Sequence, residues 1–134
     1  MGKSHDRLVG IQLGNEIAEC ELLWDQAPNI CNTIWSRLPL ESFVTHAKIC
    51  SHEIIFMLPF MMEGENMKIP KIGDVGWWGK RSCVNLWYND PGPLGPLGPT
   101  ALLGRVTNNL EGIEQEAKMV WAKAGKKIVL FRKT

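Results

Sequence analysis

Two groups of residues in this 134-residue chain could do chemistry. The first is His46 with Lys48, in "SFVTHAKIC". An imidazole is the side chain best suited to exchange a proton near neutral pH. Positions two apart on a strand share a face, so an inward His46 brings Lys48 with it and turns Thr45 and Ala47 away. The second group is aromatic and polar: Trp77 and Trp78 in "IGDVGWWGK", then Asn85, Trp87 and Asn89 in "SCVNLWYND". Period two puts Asn85, Trp87 and Asn89 on one face of a strand and Val84, Leu86 and Tyr88 on the other. Neighbouring Trp77 and Trp78 must point to opposite faces, which frees one of them, taken here as Trp78, to meet a ligand or partner. Indole rings beside carboxamides suit a small polar ligand. Each group also has a plainer reading. A lone strand histidine is commonly a hydrogen-bonded core residue, tryptophans commonly pack cores, and asparagines commonly line a wet strand face.

Other chemistry has less support. The cysteines at 20, 31, 50 and 83 contain no Cys-x-x-Cys pair, and the first three sit among apolar residues as small buried hydrophobes. His46, His52 and Glu53 flank a turn but lack a further ligand, so no metal is expected. Cys50 beside His52 does not by spacing make a nucleophile and base. Asp74, after Gly73, reads as a turn former.

The elements that must position these residues follow from periodicity. "RLVGIQLGNEIAECELLW" reads as a hairpin turning at Gly14-Asn15. Ile30, Ile34 and Leu38 recur at helical spacing, which predicts a helix from about 28 to 38. Pro28 is tolerated in its first turn, Asp25 or Gln26 can serve the free amides, and Pro39 ends it. "SFVTHAKIC" and "EIIFMLPF" predict two strands joined at Ser51-His52, followed by a loop, a short strand at 74–78 and the strand "SCVNLWYN". After "TALLGRV", a second helix starts with Asn108 as N-cap and Glu111 three residues on. It buries Leu110, Ile113, Ala117, Val120 and Trp121, and Gly125 ends it in a left-handed conformation. A final strand is "KKIVLFRK". Strand-rich order without a βαβ rhythm predicts a single mainly β domain over residues 1–134. Its shape is a closed barrel of about eight strands with two capping helices.

The order of these motifs resembles cyclophilins. "AECELLWDQAPNICNTIWSRL" is similar to their second strand and first helix, with Asp25, Ala27, Pro28, Asn32 and Trp35 as the shared features. Bacterial and archaeal cyclophilin-like families of unknown function are a closer likeness. "LPLESFVTHAKICSHEIIF", "IGDVGWWGKRSCVNLWYNDPGP" and "GRVTNNLEGIEQ" follow their pattern along nearly the whole chain. The resemblance implies a small cyclophilin-like barrel. Prolyl isomerase activity is not implied. Isomerases place a catalytic Arg directly after a His, whereas Ala47 follows His46 here, and Lys48 lacks the planar donor fork of Arg. Their Gln-Gly-Gly stretch has no counterpart in "FMLPFMMEGEN".

Composition narrows the partners. Net charge is +1 and charged residues make up 22%, with no clustered basic face, so neither nucleic acid nor an anionic membrane is expected. Lys126, Lys127, Arg132 and Lys133 flank an apolar run and read as a solvated strand end. "MGKSHDRLVG" lacks the apolar segment of a signal peptide, and no run approaches a membrane span, so a reduced cytoplasmic setting is expected. No cofactor is expected. "PGPLGPLGPT" has the phase of collagen but is far too short to form a triple helix, and it reads as a stiff rim loop beside the Trp87 face. The expected function is binding of a small ligand, or chemistry on one, in a groove lined by His46, Trp78, Asn85 and Trp87, with Asn89 beside it. The alternatives are a non-catalytic or homo-oligomeric interaction protein, suggested by six tryptophans and by Met57, Met61 and Met62, and a prolyl isomerase.

Overall fold

Residues 7–47, 52–91 and 98–133 are described by the computed structural model. β1 (Leu8–Leu13) and β2 (Glu16–Leu22) form the hairpin, in a register that pairs Leu13 with Glu16. Gly14 adopts φ 59°, the sign that the first central position of this two-residue turn requires. α1 (Pro28–Arg37) follows and buries Ile30, Cys31 and Ile34. Its free amides are not served by Asp25 or Gln26. Glu65, from a distant loop, accepts the Ile30 N–H at 2.8 Å and the Asn29 side-chain amide at 3.1 Å. A carboxylate at a helix N-terminus also meets the positive end of the helix dipole.

The remaining elements are β3 (Leu40–His46), β4 (Glu53–Met57), β5 (Met67–Lys68), β6 (Asp74–Trp78), β7 (Cys83–Trp87), β8 (Thr100–Asn108), α2 (Leu110–Ala122) and β9 (Lys126–Arg132). Eight strands join antiparallel in the cyclic order β2-β1-β9-β3-β4-β7-β6-β8, and β8 pairs back onto β2 to close the barrel. β5 adds a two-residue flank to β8. The mainly β barrel with two helices is therefore the architecture of the described residues. Closure leaves these eight strands no open sheet edge.

α1 packs where β2 ends and β3 begins. α2 packs at the opposite end, where Asn109 bonds to Ile17 beside the hairpin turn. Asn108 does not cap α2. It is the last residue of β8, and its Oδ1 accepts the Glu19 N–H at 2.9 Å. Asn109 takes the cap position in a left-handed conformation. Competition for the sheet ladder explains the shift, because a side chain that pairs β8 to β2 cannot also turn back onto the helix.

Ile11, Leu13, Val44, Ile54, Val84 and Leu86 are among the fully buried side chains that fill the barrel. With the centre packed, any ligand site has to lie on the barrel's outside or at its ends. One outer position is closely fitted. Gly10 pairs with Phe131, and a methyl group on Gly10 would stand 2.2 Å from the Phe131 ring. Gly10→Ala is expected to push the half-buried ring aside and cost about 1 kcal/mol in a urea melt. No cost would mean that the ring contributes nothing there.

Candidate functional site on the outer face of the barrel

β7 is buried on both of its faces. Val84, Leu86 and Tyr88 join the core, while Cys83, Asn85 and Trp87 point outward. Strand pairing arranges the outward residues in rows. Met57, Cys83 and Trp78 form one row, Ile55, Asn85 and Gly76 the next, and Glu53 with Trp87 the third. Phe43 extends the first row, one step beyond the Val44–Phe56 pair. Along β4 exposure falls from Met57 to Glu53, while β7 is closed throughout, with Cys83 of the first row at 2%. Phe43 and Met57 are each 64% exposed, whereas Asn85, Glu53 and Trp87 are at 3%, 5% and 2%. The face thus has an open apolar side and a closed polar end.

The closed end is chemically unusual. Asn85 donates its side-chain amide to the Glu53 carboxylate in a short hydrogen bond. Asn85 Oδ1 and Trp87 Nε1 are buried and have no hydrogen-bond partner. Such orphaned atoms are few in native folds, and each costs about 1–3 kcal/mol. Neighbouring polar groups are satisfied. Asp74 accepts the Lys71 N–H at 2.8 Å and the Arg105 Nε at 3.3 Å, and the Thr100 hydroxyl donates to the Trp77 carbonyl at 3.0 Å above Gly76. Burial and then the Glu53 charge push the Cys83 thiol up to about 11. Trp77 is buried and donates to the Met62 carbonyl at 2.9 Å, whereas Trp78 is half-buried with the Arg81 guanidinium 5.4 Å from its ring centre.

Trp78, Asn85 and Trp87 therefore share the outer face, on successive rows, but His46 does not join them. It shares the inward face with Val44, at the end of the barrel covered by α2. Its Nδ1 lies 3.2 Å from the Ala47 carbonyl oxygen. Nε2 and the Tyr88 hydroxyl share a hydrogen bond at 2.7 Å. The Trp121 ring stands edge-on, 4.6 Å away. Burial, followed by the Glu114 charge, raises the Tyr88 phenol above its ordinary value. Asn89 also belongs to this end. Its amide donates to Glu114 at 2.8 Å, and that bond is the main cause holding the Glu114 carboxyl below its usual range. Lys48 and Cys50, and residues 92–97 of the Pro-Gly run, lie outside the described residues.

Sequence reasoning missed Glu53 as a site residue and treated Tyr88 as core only. A signal for Glu53 was present, since a single acid opens the otherwise apolar "EIIFM". Among the described residues, no three His, Cys, Asp or Glu side chains are grouped to hold a metal, and no helix is long and apolar enough to cross a membrane.

A family profile described as "Protein of unknown function (DUF3830)" matches residues 9–131. Among solved structures, the chain is similar to McbB, described in complex with tryptophan, at 19% identity and a TM-score of 0.79. That alignment covers 93% of this chain but 44% of McbB, so the chain spans less than half of that protein's length. It is also similar to the hypothetical protein AF2241 from Archaeoglobus fulgidus, at 24% identity and a TM-score of 0.70, with 94% of each chain covered. Both likenesses concern the fold. No curated protein matches.

Proposed function

We propose that this chain, which belongs to the DUF3830 family of proteins of unknown function, binds a small ligand on the outer face of its barrel. The ligand's polar head reaches Asn85 and Trp87, and its apolar body lies along Trp78 and Met57. One observation carries the reading: a donor and an acceptor, buried without partners two residues apart on one strand. Three buried side-chain atoms lack a partner among the described residues, Trp24 Nε1 being the other, and two of the three fall together on β7. The gradient of exposure along β4 supplies the route, since Met57 is open and Glu53 closed. McbB, a protein of similar fold, is described with a bound small molecule. Isomerase chemistry has no support of this kind, because position 47 is Ala and His46 faces inward.

The test is a fragment screen read by the indole N–H resonances of nitrogen-15-labelled protein. Binders are expected to move the Trp87 and Trp78 signals, and in Trp87→Phe to leave the Trp78 signal where it is. A screen in which no compound moves either signal ends the reading. A second reading rests on exposed Phe43, Met57 and Met61, at 64%, 64% and 73%, which a second copy of the chain could cover. Light scattering at the mass of a 15.1 kDa monomer would remove it.

A further inference from the structure

We infer that the open first row of the outer face is a docking surface for an amphipathic helix of a partner protein, apolar along its middle and carrying carboxylates at one end. This goes beyond the ligand reading and does not depend on it, because the ligand's head is placed at the closed end. The row crosses five strands. Lys127 pairs with Phe43, Phe43 lies one step beyond the Val44–Phe56 pair and so beside Met57, Met57 pairs with Cys83, and Cys83 pairs with Trp78. At about 4.8 Å between strands, the row is about 19 Å long. Phe43 and Met57 are 64% exposed. Met61, at 73%, stands beside the row with its sulfur 2.9 Å from the Ser82 hydroxyl. Large apolar side chains gathered in the open mark a surface that something else covers.

Backbone and charge decide the kind of partner. β3, β4, β7 and β6 are each paired on both sides, so the row offers no strand edge to extend. A segment laid on it loses water from its own backbone and must satisfy those groups internally, as a helix does. At about 1.5 Å per residue, about 13 helical residues span the row. The Trp78 end is basic. Lys80 and Arg81 follow Trp78 in a short 3₁₀ turn, both are exposed, and the Arg81 guanidinium lies 5.4 Å from the Trp78 ring centre. Among the described residues neither has a carboxylate partner. The Phe43 end is balanced, since Lys127 pairs with Glu41 at 3.3 Å. The partner's carboxylates therefore belong at the Trp78 end. A second copy fits poorly. A two-fold axis through the row would bring Lys80 and Arg81 either onto their own copies or onto the Lys127–Glu41 pair, and cations would outnumber acids in both cases. An anionic membrane fits poorly too. It senses the whole face of a chain whose net charge is +1, Glu41 included, whereas a helix senses only what lies beneath it.

The test uses a helical peptide of about 14 residues with a leucine stripe and a pair of glutamates at one end. Its control is the same peptide with glutamines there, because glutamine matches glutamate in helix propensity. Each is titrated against protein labelled at the methionine methyls and the indole N–H groups. The glutamate peptide is expected to move the Met57, Met61 and Trp78 signals and to leave Trp87 unmoved. It should bind about fivefold more tightly than the glutamine peptide, as two exposed ion pairs allow. At about 1 M salt the two should bind alike. Lys80→Glu combined with Arg81→Glu is expected to reverse the preference, and Phe43→Ser to weaken both peptides. Should a variant fail to fold, the wild-type shifts and their salt dependence decide alone. Equal binding of the two peptides at low salt overturns the inference. Silence of the Met57, Met61 and Trp78 signals overturns it as well, and the ligand reading still stands if fragments move Trp87. Co-sedimentation with vesicles of phosphatidylcholine and phosphatidylglycerol in equal parts, without peptide binding, overturns it in favour of a membrane. Movement of the same three signals on concentrating the protein alone, with a rise in mass by sedimentation, overturns it in favour of a second copy.

Discussion

Folding stability should drop steeply once the pH rises above 9, and three buried thiols are the reason. Burial pushes Cys20 and Cys31 up to about 12 and Cys83 up to about 11, from an ordinary value of 9.0. All three are at 2% exposure or less. Below pH 9 each thiol is neutral in both the folded and the unfolded chain, and its full contribution to stability is present. Above pH 9 the unfolded chain ionises its thiols while the folded chain cannot. The contribution is then lost progressively until the pH reaches the folded values near 11 and 12. Each thiol costs on the order of 1 kcal/mol per pH unit in this window, so three together can exhaust a typical stability within two units. Tyr88 is raised as well and acts in the same direction. Urea melts at pH 8, 9, 10 and 11 measure the slope. Cys20→Ala and Cys31→Ala should each flatten it, whatever they cost at pH 8. Slopes identical to the parent would show that the thiols are not responsible. The same burial predicts that iodoacetamide at pH 8 leaves these three cysteines unmodified until the chain is unfolded.

Much of this architecture could be read from local signals. Gly14-Asn15 marks the first hairpin, and Pro28 and Pro39 bracket α1. The alternation in "CVNLW" separates its two faces correctly, because a strand side chain has no other choice. Three decisions had no local signal. β7 buries both faces, so its sequence does not say which one looks into the barrel. The pairing of His46 with Ile54, and of Ile54 with Leu86, puts His46 on the Leu86 face and not on the Asn85 face. That assignment depends on the register across the β3–β4 connection, and a change of one residue would reverse it. Asn108 had two uses open to it, a helix cap and a strand pairing, and only the closure of β8 onto β2 decides between them. Glu65 caps α1 from 35 residues away in sequence, a distance at which no spacing rule operates.

Asn85→Leu is expected to cost about 2–3 kcal/mol at neutral pH, and Trp87→Phe to leave stability within about 1 kcal/mol. Both residues are outward-facing, buried and partly unpaired, so their difference isolates what each one does. Asn85 gives the Glu53 carboxylate a donor in a place where water does not reach, and a leucine would take that donor away. Trp87 has an N–H that serves nothing within the fold. Phenylalanine keeps most of the ring packing and removes an atom whose burial is unfavourable, so two opposing terms nearly cancel. A double-mutant cycle with Glu53→Gln in urea melts makes the comparison quantitative. The cost of Asn85→Leu should shrink by about 1 kcal/mol or more in the Glu53→Gln background, because a neutral partner needs the donor less. An unchanged cost would mean that Asn85 acts by packing alone. A large loss from Trp87→Phe would mean that the indole N–H is already paired in the folded chain, which would remove the observation on which the ligand reading depends. Near-neutrality in stability together with loss of fragment binding is the pattern expected of a residue retained for a ligand at no benefit to the fold.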